Sequence, residues 1–100
     1  MGSFTLTQAA KNDLREIARF TEQQWGRAKR LHYLKGLDDA FHLLSNSPKL
    51  GNACDYIESG LRKYPLQSHV VFYEILSERD IQVIRVLHKS MDVQQASFSS

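Results

Sequence analysis

Two nearly solid apolar stretches, "HVVFYEIL" (residues 69–76) and "IQVIRVLH" (residues 81–88), are separated by only four residues, "SERD". Runs this rich in Val, Ile, Phe and Tyr read as strands, and so short a link between them reads as a hairpin. Placing Leu76 opposite Ile81 sets Tyr73 against Ile84, Val71 against Val86 and His69 against His88. The two histidines become cross-strand neighbours. In this register one face carries His69, Val71, Tyr73, Ile75, Ile84, Val86 and His88. The other carries Val70, Phe72, Leu76, Ile81, Val83 and Leu87, interrupted by Glu74 and Arg85. A hairpin with one solvated face alternates apolar with polar residues, so two apolar faces demand two covers.

The preceding residues supply one of them. "SFTLT" alternates Phe4 and Leu6 with hydroxyl residues, the period-two pattern of a short strand, and Thr7 is placed to cap a helix. Leu14, Ile17, Ala18, Thr21 and Trp25 then recur at spacings of three and four, which puts them on one helical face ending at Gly26. Leu31, Leu34, Leu37, Phe41 and Leu44 repeat the pattern until Pro48 stops it. The pair reads as an antiparallel helical hairpin, with Trp25 and Phe41 in the core and Gly36 marking close packing between the helices. "LRKYP" reads as an edge strand because Pro65 has no N–H to give a central ladder. The expected fold is therefore α+β: an N-terminal strand, a two-helix antiparallel hairpin and a three-stranded antiparallel sheet segment. Residues 1–93 form a single domain and residues 94–100 a flexible C-terminal tail. The second apolar face is expected to be covered by another chain, the alternative being that the loop from Pro48 to Gly60 folds over it.

One hundred residues suffice for one core and not for two. No apolar run approaches the roughly 18 residues of a membrane span, and "MGSFTLTQ" lacks the basic and apolar regions of a leader, so a cytoplasmic location is expected. Cys54 is the lone cysteine and stands in no metal-ligand spacing; no metal and no cofactor are expected. Thirteen Lys and Arg against eleven Asp and Glu leave a net charge of +2, too little for unaided nucleic-acid binding. The cations gather in two places: Arg27, Lys29, Arg30 and Lys35, and Arg62 and Lys63 with Arg85, His88 and Lys89. There is no glycine-rich phosphate loop and no nucleophile elbow.

Taken in order, "AAKNDLREIARFTEQQWG", "YLKGLDDAFHLLSNSPKLG", "GLRKYPLQSHVVFYEI" and "IQVIRVLHKSMD" resemble the ParE toxins of bacterial toxin–antitoxin modules, within the RelE/ParE group. The resemblance implies a strand, two helices and an antiparallel sheet. It also implies a non-enzymatic toxin that poisons DNA gyrase, is neutralised by a cognate antitoxin and assembles with it into a higher-order hetero-oligomer. Because the likeness runs through "HKSMD" and then fades, Lys89, Met91 and Asp92 are expected to face gyrase together with Arg62, Lys63, His69 and His88. The antitoxin is expected over apolar residues elsewhere: Val71, Tyr73, Ile75, Ile84, Val86, Trp25 and Leu31. Relatives of the RelE and YoeB type cleave mRNA on the ribosome, which requires a proton acceptor, a proton donor and cations for the phosphate. His69 or His88 with Arg62, Lys63 and Arg85 are the residues that could serve that alternative.

Overall fold

Thr7 is where strand becomes helix. Its hydroxyl accepts the Ala10 N–H at 3.0 Å, as an N-cap does, and donates to the Ile84 carbonyl at 2.7 Å, so a fully buried hydroxyl is satisfied twice. In the computed structural model, which describes residues 2–93 and 96–98, it separates strand β1 (Ser3–Leu6) from helix α1 (Gln8–Trp25). Gly26, at φ +91°, is the only residue between α1 and helix α2 (Arg27–Asn46); its N–H closes on the Glu22 carbonyl and ends the first helix. A 3-10 turn (Pro48–Leu50) and a two-residue strand β2 (Asn52–Ala53) lead to β3 (Leu61–Leu66), β4 (His69–Ser77) and β5 (Asp80–His88). The sheet order is β1-β5-β4-β3-β2, with β1 parallel to β5 and the other pairs antiparallel. Five strands replace the three-stranded segment and opening strand of the sequence reading, since β2 is too short to show a period. β2 pairs only with Arg62 and Lys63, so Pro65 does lie where β3 forms the sheet edge. No helix among the described residues is long and apolar enough to cross a membrane.

The β4–β5 register is as expected at one end and shifted in the middle. His69 pairs with His88, Val71 with Val86 and Phe72 with Arg85, but Tyr73 then pairs with Val83, leaving Ile84 as the extra residue of a bulge. A second shift leaves out Leu76, so Ile75 faces Ile81 and the link shrinks from four residues to Glu78 and Arg79. Each shift reverses the phase of the strand beyond it. Ile81 and Val83 consequently join Val71, Tyr73 and Val86 beneath the helices, where Ile17, Leu37, Phe41 and Leu44 complete the main core. Ile84 turns to the other side.

That other side is a second, smaller core. Phe72, Ile84 and Leu87 meet Cys54 and Leu61, with Ile57, Val93 and Ala96 partly buried around them and Phe98 buried on top. The Phe98 and Phe72 rings lie 5.0 Å apart in an edge-on arrangement, and Arg85 Nη1 holds the Ser97 carbonyl at 2.9 Å. The second cover is thus the chain's own loop and C-terminal segment, which corrects the expectation of a partner on that face. Of the tail read as flexible, Gln94, Gln95, Ser99 and Ser100 lie outside the described residues, whereas Ala96 to Phe98 pack. Gly36 is also corrected: a methyl group there would meet nothing within 4 Å.

Phe98→Ala removes the aromatic lid of the second core. Its loss is expected to lower unfolding free energy by about 2 kcal/mol and to increase binding of an apolar dye. Urea denaturation checks the first and dye fluorescence the second; an unchanged midpoint would mean that the segment does not cover this face.

Candidate functional site: a groove ending in two histidines

On α1 the buried positions stop at Ala18, although the apolar stripe runs on to Trp25. The rest of the helix therefore presents aromatic surface: Trp25 is 69% and Phe20 60% exposed. Together with Lys29 and Tyr33 of α2 and with His69 and His88 at the strand ends, they line a groove of about 730 Å3. Trp25 is thus not core, as helical spacing had suggested. Leu31, on the next helix, is 56% exposed as well.

The far wall of the groove is a chain of hydrogen bonds. The Tyr33 hydroxyl and His69 Nδ1 are 2.5 Å apart, and the His69 ring meets His88 edge to face with centroids 5.4 Å apart. His88 Nδ1 accepts the Ser90 N–H at 3.1 Å and lies 2.7 Å from the Ser90 hydroxyl. A backbone N–H can only donate, so the neutral His88 ring carries its proton on Nε2. Burial holds the pKa of His69 below the ordinary histidine range; neighbouring His88 acts in the same sense and Asp13 opposes it. Burial also pushes the Tyr33 phenol up. The neutral Tyr33 hydroxyl can donate to His69 Nδ1 or accept from it, according to which ring nitrogen carries the proton.

The seven residues expected to face gyrase do not form one cluster. His69, His88 and Lys89 share an end of the sheet, where the Lys89 N–H donates to the Ser68 carbonyl at 2.8 Å. The Met91 N–H follows, at 2.9 Å from the His88 carbonyl, and Met91 and Asp92 are exposed. Arg62 and Lys63 stand apart: Arg62 precedes Leu66, the pairing partner of His69, by four residues, about 13 Å of strand. Their side chains also leave on opposite faces of the sheet, Arg62 with Tyr73 and Lys63 with Phe72. Arg62 Nη2 donates to the carbonyls of Gly51 at 2.5 Å and Lys49 at 3.1 Å, while Lys63 holds the Tyr56 hydroxyl at 2.9 Å. Arg85 is forked onto Asp13, with Nε to Oδ2 at 2.7 Å and Nη2 to Oδ1 at 2.9 Å. All three cations are engaged in holding the fold.

Four apolar residues expected to meet the antitoxin are corrected outright. Val71, Tyr73 and Val86 are buried beneath the helices and Ile84 beneath the C-terminal segment, so none has side-chain surface to offer. Tyr73 is a structural pin: its hydroxyl donates to the Pro48 carbonyl at 2.6 Å and accepts the Gly51 N–H at 3.0 Å. Gly51 must be glycine, because a Cβ would fall 2.5 Å from that hydroxyl. Ile75 keeps 36% exposure at the far end of the sheet, leaving Trp25 and Leu31 as the accessible apolar candidates. Sequence reasoning missed Phe20 and Tyr33. Phe20 had one legible signal, a large aromatic on a helix but outside its apolar stripe.

Because the folded-state pKa of His69 is depressed, the unfolded chain takes up the proton first as pH falls through roughly 6.5. The contribution is absent above that pH, and stability is expected to drop between pH 7 and pH 5.5. His69→Gln should show a shallower drop in denaturation midpoint over the same interval; parallel lines for the two proteins would remove His69 as the cause.

Comparison with known proteins accords with this architecture. Residues 4–93 match the family described as "ParE toxin of type II toxin-antitoxin system, parDE". Among curated relatives, "Toxin ParE1" of Mycobacterium tuberculosis (strain ATCC 25618 / H37Rv) is 40% identical over 90 residues, covering 90% of this chain and 92% of that protein. "Toxin ParE1" of Caulobacter vibrioides (strain ATCC 19089 / CIP 103742 / CB 15) is 33% identical over 92 residues, with 92% and 94% covered. A solved structure described as "Chromosomal ParDE TA system from P. aeruginosa" superposes with a TM-score of 0.74 at 20% identity, over 88% of this chain and 96% of that one, a likeness of fold. From the first strand through the residues that follow His88, the chain belongs to the ParE toxin family of type II toxin–antitoxin systems.

Proposed function

We propose that this chain is held inactive by a cognate antitoxin and, once released, acts in the cytoplasm by trapping DNA gyrase on cleaved DNA rather than by catalysing a reaction. The observation that carries the reading is the 40% identity to proteins named Toxin ParE1 across nine-tenths of both chains, joined to the gyrase poisoning that membership of the family implies. The geometry of the cations supports the non-catalytic part. A ribonuclease needs cations free to hold the phosphate, whereas Arg62, Lys63 and Arg85 are each tied to carbonyls, a phenol or a carboxylate of the fold. The groove supports the antitoxin part. An apolar anchor seated against Trp25 and Phe20 also lies along the histidine wall, so one segment would cover both an adhesive surface and part of the gyrase-facing candidates. A toxin–antitoxin assembly larger than one-to-one belongs to the same reading.

Purified protein added to gyrase and supercoiled plasmid is expected to accumulate linear DNA, and antitoxin to prevent it. Unaltered supercoiling and cleavage at excess toxin would reject poisoning; codon-linked mRNA cuts on translating ribosomes, lost in His88→Ala, would assign the ribonuclease chemistry instead. Replacing Lys89, Met91 and Asp92 together with alanine is expected to weaken poisoning about tenfold, equivalent to roughly 1.4 kcal/mol of contact energy. Thermal stability and antitoxin affinity should stay near those of the unaltered protein. Full toxicity, or loss of all three properties at once, would exclude a dedicated gyrase-facing segment.

A further inference from the structure

The histidine pair has no role yet, and its hydrogen bonds restrict what that role can be. Both Nδ1 atoms are occupied within the chain, by Tyr33 and by Ser90, which leaves Nε2 of each ring as the atom available to a ligand. A metal ion bound at Nε2 would require the proton to sit on Nδ1, where in His88 it would meet the Ser90 N–H. The neutral His88 ring therefore offers an N–H donor at Nε2, and His69 offers one there when Nδ1 accepts from Tyr33 or when the ring is protonated. The two rings differ in taking a second proton: at His69 the Tyr33 hydroxyl can accept once Nδ1 carries a hydrogen, whereas at His88 that hydrogen would displace the Ser90 N–H, so His69 is the ring that can become charged in place. Such a pair recognises an acceptor and binds a charged one more strongly when His69 is protonated.

The surrounding charge has the sign to match. Lys29 and His32 of α2 line the same groove, and Lys89 follows His88. Against them the groove holds one carboxylate, Glu16 of α1, which is already paired with Arg19 at 2.6 Å. Asp13 of α1, the acid felt by His69, is committed to Arg85 and to the Val86 N–H. Next to this cationic end stands the exposed aromatic surface of Phe20 and Trp25.

We propose that His69 and His88 form a proton-linked receptor for a carboxylate of the antitoxin, presented beside an apolar side chain that enters between Phe20 and Trp25. This rests on the toxin–antitoxin reading above. It predicts that the complex takes up protons as it forms, so that affinity rises as pH falls.

Antitoxin affinity for the full chain is measured at pH 8 and pH 5.5, for the unaltered protein and for His69→Gln, whose amide can still donate but cannot become charged. His69 is half-buried, so a thermal melt of each protein at both pH values verifies that it is folded. The dissociation constant is expected to fall about tenfold between the two pH values in the unaltered protein, as one unit of pKa shift would give, and to change less than about twofold in the variant. Proton NMR of the imidazole rings should show the titration midpoint of His69 moving up in the complex. Equal pH slopes in the two proteins, or a His69 midpoint that stays or falls on binding, would overturn the carboxylate receptor while leaving the toxin–antitoxin reading intact. Absence of antitoxin binding at both pH values would remove that reading and this one together.

Discussion

The bulge at Ile84 is the constraint on which the arrangement depends. Inserting one unpaired residue between the Phe72–Arg85 and Tyr73–Val83 pairs turns Ile81 and Val83 toward the helices and Ile84 away from them. A bulge leaves backbone groups without ladder partners, and α1 provides them. Thr7 donates to the Ile84 carbonyl, Asp13 accepts the Val86 N–H at 3.0 Å, and the same carboxylate forks Arg85. The start of α1 is thereby locked to the one irregular point of β5. Removing a partner from so enclosed a pair would strand a charge, which is more costly than the pair itself is stabilising.

From that lock the positions of both cores follow. With Ile84 on the outer face, Phe72, Ile84 and Leu87 make an apolar patch too large to leave wet, and the C-terminal segment closes it through Phe98 and the Arg85–Ser97 contact. Arg85 thus ties α1, β5 and the C-terminal segment with one guanidinium. The inner face is filled by the helices only as far as Ala18 on α1, and the aromatics beyond it are what the fold leaves available for recognition.

Charge is distributed on the same principle. The basic residues that look like a cluster along the sequence are separated by strand direction and by alternation: Arg62 and Lys63, adjacent in the chain, project from opposite faces of the sheet. Each is consumed by loop carbonyls or a phenol. At the histidine end titratable groups stand next to the aromatic groove, and there the two rings are set by cross-strand pairing at the end of the β4–β5 ladder.

Much of this was legible before any coordinates. Thr7 as cap, Gly26 as helix stop and Pro65 on an edge follow from local chemistry: a hydroxyl before a helix, a residue free to adopt positive φ and a missing N–H; His69 opposite His88, counted back from the turn, holds because the two register shifts cancel. The need for two covers was equally a property of the sequence, since two apolar faces on one hairpin cannot both be wet. What covers the second face, and which residues belong to it, was settled only by tertiary structure. A bulge has no signature in apolar spacing, because Ile84 suits either face by composition; its position is selected by Thr7 and Asp13, more than seventy residues away along the chain. The groove likewise arises from where α1 outruns its partners, a comparison of lengths between elements that no single stretch of sequence contains.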